Sequence, residues 1–202
     1  MVRRTKEEAQ ATRNRILDTA EMVFQERGVS RTTLEAIAAA AGLTRGAIYW
    51  HFKDKSELFH AMMERVILPM EDGADGDAAD DPLGALREDF VAALRRVVDD
   101  AQVQRVLEVA VLKVEYVDEL QALRGRHLAA RDVCVARTES ALRRAVRRGQ
   151  VSLRVPARTA ALGVHALVSG LLRNWMLDRD AFDLVKVGRH ALEAYLAGLV
   201  KA

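Results

Sequence analysis

A chain of 202 residues can hold one large domain or two small ones, and either can bury a genuine core. Half of the residues are apolar, only three are proline, and Ala, Leu, Val, Arg and Glu recur throughout, which favours helix over strand. The formal net charge of +2 is too small to point by itself to a polyanionic partner, and the single Cys134 excludes an internal disulfide and any multi-cysteine metal site, as expected in a reducing cytoplasm.

The N-terminal stretch MVRRTKEEAQATRNR is charged with no apolar run behind it, which argues against a signal peptide. A first helix is expected from Glu7 or Glu8 to Arg27, with Ile16, Leu17, Ala20, Val23 and Phe24 at three- and four-residue spacing. Gly28 stands where a left-handed C-cap belongs. Thr32 or Thr33 caps a second helix, Leu34 to Ala41, with Leu34, Ile37, Ala38 and Ala41 facing inward, and Gly42 ends it. Thr44 caps a third helix through about His51. Asp54 and Glu57 form a cap and capping-box pair for a fourth, spanning 54–70 and carrying Leu58, Met62, Val66 and Met70.

Residues 71–82, EDGADGDAADDP, hold six acidic side chains and no large apolar one, and read as a solvated loop. Helical periodicity then returns. Leu83, Leu86, Phe90, Leu94 and Val97 mark one helix, Val103 to Val114 a second, and Leu120 to Arg148 a longer third with Gly149 as its stop. Pro156 fits the first turn of a helix running to about Leu177, and a last helix covers Asp183 to Leu199. The apolar stretch from Ala160 to Leu172 is interrupted by Gly163, His165, Ser169 and Gly170 and is too short to span a bilayer. The expectation is an all-α, soluble, cytoplasmic chain of about nine helices in two parts, with no membrane partner.

The segment TTLEAIAAAAGLTRGAIYWHF sets two short helices around a Gly-containing turn, the second opening on a Thr cap, which is the helix-turn-helix pattern. Thr44, Arg45, Gly46 and Tyr49 fall on the outward side of the second helix, while Ala47, Ile48 and Phe52 point inward. Gly46 costs a helix about 1 kcal/mol relative to Ala, a cost offset if bare backbone presses against a base edge or phosphate. Arg45 can fork onto a guanine in the major groove. Thr44 presents a hydroxyl at a helix start, and Tyr49, His51 and Lys55 suit phosphate oxygens. Phe52 reads as core; Trp50 fits packing or backbone contact equally. The basic arm of Arg3, Arg4 and Lys6 either adds phosphate affinity or has no function.

The run from Thr33 to Phe59, T-x-x-x-I-A-x-x-A-G-L-T-R-G-A-I-Y-W-H-F-K-D-K-x-E-L-F, resembles the TetR family of transcriptional repressors, and within it the AcrR/TtgR-like regulators of multidrug efflux operons. DPLGAL at 81–86, AVRRGQ at 145–150 and GLLRNW at 170–175 extend the resemblance more weakly. It implies a three-helix helix-turn-helix DNA-binding domain at 1–53 contacting operator DNA, with Thr33 joining the outward residues named above. It also implies a connecting helix and acidic loop at 54–82, and a helical ligand-binding and dimerisation domain at 83–202. A homodimer follows from the same resemblance, and physics supports one: a single short recognition helix makes few base contacts, whereas two on a two-fold axis read a palindrome with half-sites roughly 34–36 Å or more apart.

By the same resemblance the last two helices of each subunit form an intersubunit four-helix bundle. Leu184, Val187, Leu192, Leu196 and Leu199 supply the stripe on the final one. The helix before it is apolar on nearly all sides and so has to be covered on both. Arg173, following so apolar a stretch, is either paired with a carboxylate or left to meet a ligand. The candidate ligand-lining residues are Met63, Val66, Ile67, Phe90, Leu94, Leu107, Val111, Cys134, Val168 and Arg173; each apolar one fits ordinary core equally well. Walls of this kind suit a small lipophilic or aromatic inducer. The cationic run RRAVRR at 143–148 reads as a solvated helix end. The five histidines show no metal-ligand spacing, and no phosphate loop or nucleophile elbow is present, so neither a cofactor, a metal nor catalysis is expected.

Overall fold

The computed structural model describes residues 6–66, 80–114 and 121–199. Among these the chain forms nine α-helices and no strand: α1 Lys6–Arg27, α2 Leu34–Ala40, α3 Arg45–His51, α4 Lys55–Met63, α5 Pro82–Asp99, α6 Ala101–Leu112, α7 Gln121–Arg147, α8 Ala157–Leu177 and α9 Leu184–Leu199. They fall into two compact units, one of residues 1–67 with 102–125, the other of residues 68–101 with 126–202. The basic arm at Arg3 and Arg4, most of the acidic segment at 71–82, and Ile67, Met70 and Leu120 lie outside the described residues.

In the first unit the apolar stripe of α1 is buried as its spacing requires, with Ile16, Leu17, Ala20 and Phe24 fully covered. Phe24 meets Phe59 of α4 with ring centroids 6.1 Å apart. Gly28 closes α1 at φ +83°, a conformation that costs a side chain dearly, and its N–H donates to the Phe24 carbonyl at 2.9 Å. The next N–H, of Val29, donates to Lys113 O at 3.0 Å and so ties the end of α1 to the segment after α6.

Glu21 breaks the apolar pattern and went unmarked in the sequence. Its carboxylate is buried on α1, yet it accepts from Arg65 Nη1 at 3.0 Å and Gln102 Nε2 at 2.9 Å, with Arg105 Nη2 at 3.6 Å. A buried carboxylate is tolerated when cations and donors replace its water in this way. The arrangement joins α1, the end of α4 and α6 through one side chain.

The fourth helix is shorter than its periodicity implies, ending at Met63 rather than 70. Arg65 N–H bonds to Met62 O in a tightened last turn, and its guanidinium turns to Asp18 at 2.6 Å as well as to Glu21. Tertiary ion pairing at Arg65 accompanies the loss of the local 3.6-residue period, and Val66 lies in a bend beyond the helix, still buried.

In the second unit, Asp81 caps α5 by accepting from Gly84 N–H at 2.8 Å, with Pro82 in the first turn. Phe90, Leu94 and Val97 are buried, and α5 packs on α9, which packs on α8. Leu184, Gly188, Leu192, Leu196 and Leu199 of α9 are buried within the chain, so of the five residues expected on its intersubunit stripe only Val187 is exposed. Gly188 occupies the inner position because a Cβ there would collide with Leu94 Cδ1. Gly163 of α8 plays the same part against the Tyr195 hydroxyl, which donates to Ala160 O at 3.1 Å. Helix α8 buries Ala160, Ala161, Val164, Val168, Leu172, Trp175 and Met176 but leaves Leu162, Ser169 and Arg173 exposed, so within the single chain it is covered on one side only.

Because Leu94 has no exposed surface to retreat into, Gly188→Val is expected to lower stability by about 1–3 kcal/mol through overpacking. A denaturant titration followed by circular dichroism reads this, and an unchanged midpoint would show that α5 and α9 are not held this closely.

Candidate nucleic-acid interface

The geometry of α3 follows from its two ends and one buried face. Thr33 accepts from Ala36 N–H at 3.2 Å and so caps α2, settling the choice between Thr32 and Thr33. Thr32 Oγ1 is buried and donates to Gly28 O at 2.7 Å. The turn after α2 is a Schellman closure: Gly42 at φ +65°, Gly42 N–H to Ala39 O at 3.0 Å and Leu43 N–H to Ala38 O at 2.8 Å. Thr44 then caps α3 through Ala47 N–H at 3.2 Å. Asp54 caps α4 by accepting from Glu57 N–H at 2.8 Å, and the Glu57 carboxylate reaches back to Lys53 N–H at 2.7 Å.

Helix α3 is anchored by Ile48, with Phe52 just past its end; both are fully covered, and the Arg13 guanidinium of α1 lies 5.1 Å from the Phe52 ring centroid. Its other side is open. Thr44, Arg45, Gly46 and Tyr49 are all exposed, and Trp50 is 72 % exposed, which removes the core reading of that indole. The Trp50 ring stands edge-on to His51 at 4.5 Å. Among the described residues, nothing beyond its chain neighbours and its own helix backbone lies within 4 Å of where a Gly46 side chain would begin, so no packing contact among them demands a glycine there. Lys55 is half-buried and donates to Ser30 O at 3.1 Å, which commits one of its three N–H groups to the fold.

One residue at this face was missed by sequence reasoning. Glu35, in the first turn of α2, accepts the Tyr49 hydroxyl at 2.9 Å and pairs with Arg45 Nε at 3.3 Å. The Arg45 guanidinium carbon also sits 5.5 Å from the Tyr49 ring centroid. A hydrogen bond from its own backbone N–H, followed by that from Tyr49, holds the Glu35 carboxyl below the usual carboxylate range. The bond to Glu35 in turn pushes the Tyr49 phenol up. No periodicity links residues 35, 45 and 49 across two helices, so only the turn geometry reveals the cluster.

The ligand-lining candidates are divided between the units. Met63, Val66 and Leu107 are buried and Val111 is half-buried in the first, while Phe90, Leu94, Cys134 and Val168 are buried in the second. Phe90 and Leu94 both approach Gly188. Burial pushes the Cys134 thiol up, with Thr138 and Arg137 opposing, as for a small apolar residue rather than a reactive one. The Arg173 side chain is exposed in the single chain.

Among the described residues no group of three potential ligands could hold a metal ion, and no helix is long and apolar enough to cross a membrane. Ser169 Oγ lies 3.3 Å from His165 Nε2, but His165 Nδ1 has no carboxylate or other hydrogen-bond partner to orient the ring.

Two family models match the chain: bacterial regulatory proteins of the TetR family over residues 16–62, and the C-terminal region of MAATS-type transcriptional repressors over residues 81–200. The chain is 42 % identical over 188 residues to the HTH-type transcriptional regulator TtgR of Pseudomonas putida, covering 92 % of this chain and 90 % of that one. Its fold superposes with a TM-score of 0.88 on NalD, the secondary repressor of the MexAB-OprM multidrug efflux pump in Pseudomonas aeruginosa, at 35 % identity over 97 % of this chain and 99 % of that one. A complex of SmeT with triclosan gives 0.82 at 39 % identity, over 95 % and 93 %. With both family models matched in order, the capped turn in place and the outward face of α3 open, the chain belongs to the TetR family of transcriptional regulators.

Proposed function

We propose that the protein is a cytoplasmic, homodimeric repressor that binds a palindromic operator through α3 and is released by a small lipophilic inducer, with a multidrug efflux operon as its target. The observation that carries the DNA-binding part is the face of α3 itself: a guanidinium, a phenol, an indole and a bare glycine stand exposed on a helix whose other side is locked into the core. In this reading residues 1–53 form the DNA-binding domain, 54–82 the connection and 83–202 the ligand-binding and dimerisation domain. Arg45 reads a guanine, Gly46 lets backbone approach the duplex, and Tyr49, Trp50, His51 and Lys55 meet phosphates beside Thr33 and Thr44.

The dimer reading is supported by the uncovered stripe of α8, Leu162, Ala166, Ser169, Arg173 and Leu177, together with exposed Val187 on α9. These residues recur at helical spacing, and a second copy related by a two-fold axis would cover them. Efflux control rests on the relatives: NalD represses an efflux pump, as does SmeT, whose complex with triclosan supports an aromatic, lipophilic effector here. Phe90, Leu94, Cys134 and Val168, buried in the second unit, are the apolar side chains proposed to receive it. All these relatives are named as regulators, which supports a regulator rather than an enzyme.

Release is a population shift. The effector stabilises a form whose recognition helices no longer sit at operator spacing, and it can move the equilibrium only by as much as its affinities for the two forms differ.

Arg45→Ala is expected to cost about 1–3 kcal/mol in operator affinity and to relax preference at one base pair per half-site. Anisotropy titrations against operators substituted one base pair at a time measure this; an unaltered preference profile would remove Arg45 from the readout. Saturating triclosan is expected to weaken operator binding at least tenfold, about 1.4 kcal/mol of coupling. Operator affinity unchanged by triclosan and by a panel of lipophilic phenols would overturn the inducer reading.

A further inference from the structure

Glu35 places a carboxylate on the face proposed to meet a polyanion, where its charge opposes binding. An exposed ion pair of this kind contributes little to folding, so stability does not account for it. The geometry is specific nonetheless. A single oxygen, Glu35 Oε1, receives the Tyr49 hydroxyl at 2.9 Å and faces Arg45 Nε at 3.3 Å, while the guanidinium leans over the Tyr49 ring at 5.5 Å. Arg45 is thereby held from two directions by side chains on two helices, and the capped turn from Gly42 to Thr44 fixes the relation of those helices.

The chemistry of the guanidinium gives this restraint a direction. Arginine offers five N–H donors in a planar fork. Nε is the guanidinium nitrogen paired with Glu35, so the terminal Nη1/Nη2 pair is the edge left for an outside acceptor, and it matches the O6 and N7 acceptors of a guanine in the major groove. The side chain remains 75 % exposed, so that edge is accessible. A free arginine at this position would be equally able to swing to the nearest phosphate, which carries no sequence information. Tethering it removes that option and lessens the rotamer entropy lost on docking. The charge acts in the same sense, because an added carboxylate at the interface weakens the sequence-independent attraction to phosphates.

We propose that Glu35 is a specificity-determining positioning residue: with the Tyr49 hydroxyl it orients Arg45 toward a base edge and away from the phosphates. The proposal rests on the reading of Arg45 as a base contact and adds to it a second helix and a second residue.

The test measures affinities of the full-length dimer by fluorescence anisotropy for its operator, for operators changed at one base pair each, and for an unrelated duplex. Glu35→Gln keeps an acceptor for Tyr49 but loses the charge that holds Arg45. Discrimination at the base pair read by Arg45 is expected to fall by about three- to tenfold, while affinity for the unrelated duplex is unchanged or rises. Tyr49→Phe, which keeps the ring and removes the hydroxyl, is expected to move discrimination the same way by a smaller factor. In an Arg45→Ala background Glu35→Gln should change discrimination no further, because the residue through which it acts is gone. Full discrimination in Glu35→Gln beside a flattened profile in Arg45→Ala would overturn the proposal and leave the helix-turn-helix reading standing. An equal loss in the Arg45→Ala background would likewise overturn it. A full profile in Arg45→Ala itself would instead overturn the base contact, and the proposal with it.

Discussion

Helix α3 has seven residues, two turns, and alone in water it would not form, since nucleation costs more than so few hydrogen bonds return. Its existence depends on the burial of Ile48 and Phe52 and on the Thr44 cap. Everything else in the first unit can be understood from that constraint. The aliphatic and aromatic stripe of α1 provides the surface the short helices need, Gly28 and Gly42 turn the chain at positive φ where other residues are strained, and the caps at Thr33, Thr44 and Asp54 satisfy donors that would otherwise be orphaned. A helix held by one face and both ends can present the remaining face without yielding, and recognition by a few side chains requires that rigidity.

The same economy appears in the second unit, expressed through small residues rather than caps. Gly163 and Gly188 let α8, α9 and α5 approach closely, so the buried faces of α8 and α9 mesh inside the chain and leave a second stripe of α8 uncovered. Asymmetric coverage of an apolar helix is hard to reconcile with an isolated monomer and natural for a dimer. One unit thus holds the recognition helix, and the other carries the surface by which two recognition helices would be brought to a common duplex.

How much of this was legible in the sequence varied with the range of the interaction. Caps and stops depend on residues within four positions, so Thr44, Asp54, Gly28, Gly42 and Gly149 could be read directly and the α2 cap narrowed to Thr32 or Thr33, and the outward and inward sides of α3 followed from a 3.6-residue period. The extent of α4 could not, because Arg65 is held by Asp18 and Glu21, more than forty residues away. Buried Glu21 was invisible for the same reason. The leucines expected to face a partner on α9 are instead buried within the chain, on a stripe that runs through Gly188, and a glycine carries no hydropathy signal for packing. The apolar neighbours of Arg173 left a carboxylate partner and a ligand contact both open, and the side chain is exposed in the single chain. Glu35, fourteen residues from Tyr49, became part of the site only once the turn between α2 and α3 brought the two together.

On this reading, paired copies of α3 dock in successive major grooves of the promoter this protein controls. A hydroxyl-radical footprint of the full-length protein on the DNA upstream of its own coding sequence tests that most directly. Two symmetry-related patches of protection are expected on one face of the duplex, separated by roughly one helical turn or somewhat more, centred on an inverted repeat. A single asymmetric patch, or protection that appears with no sequence preference along the fragment, would contradict it.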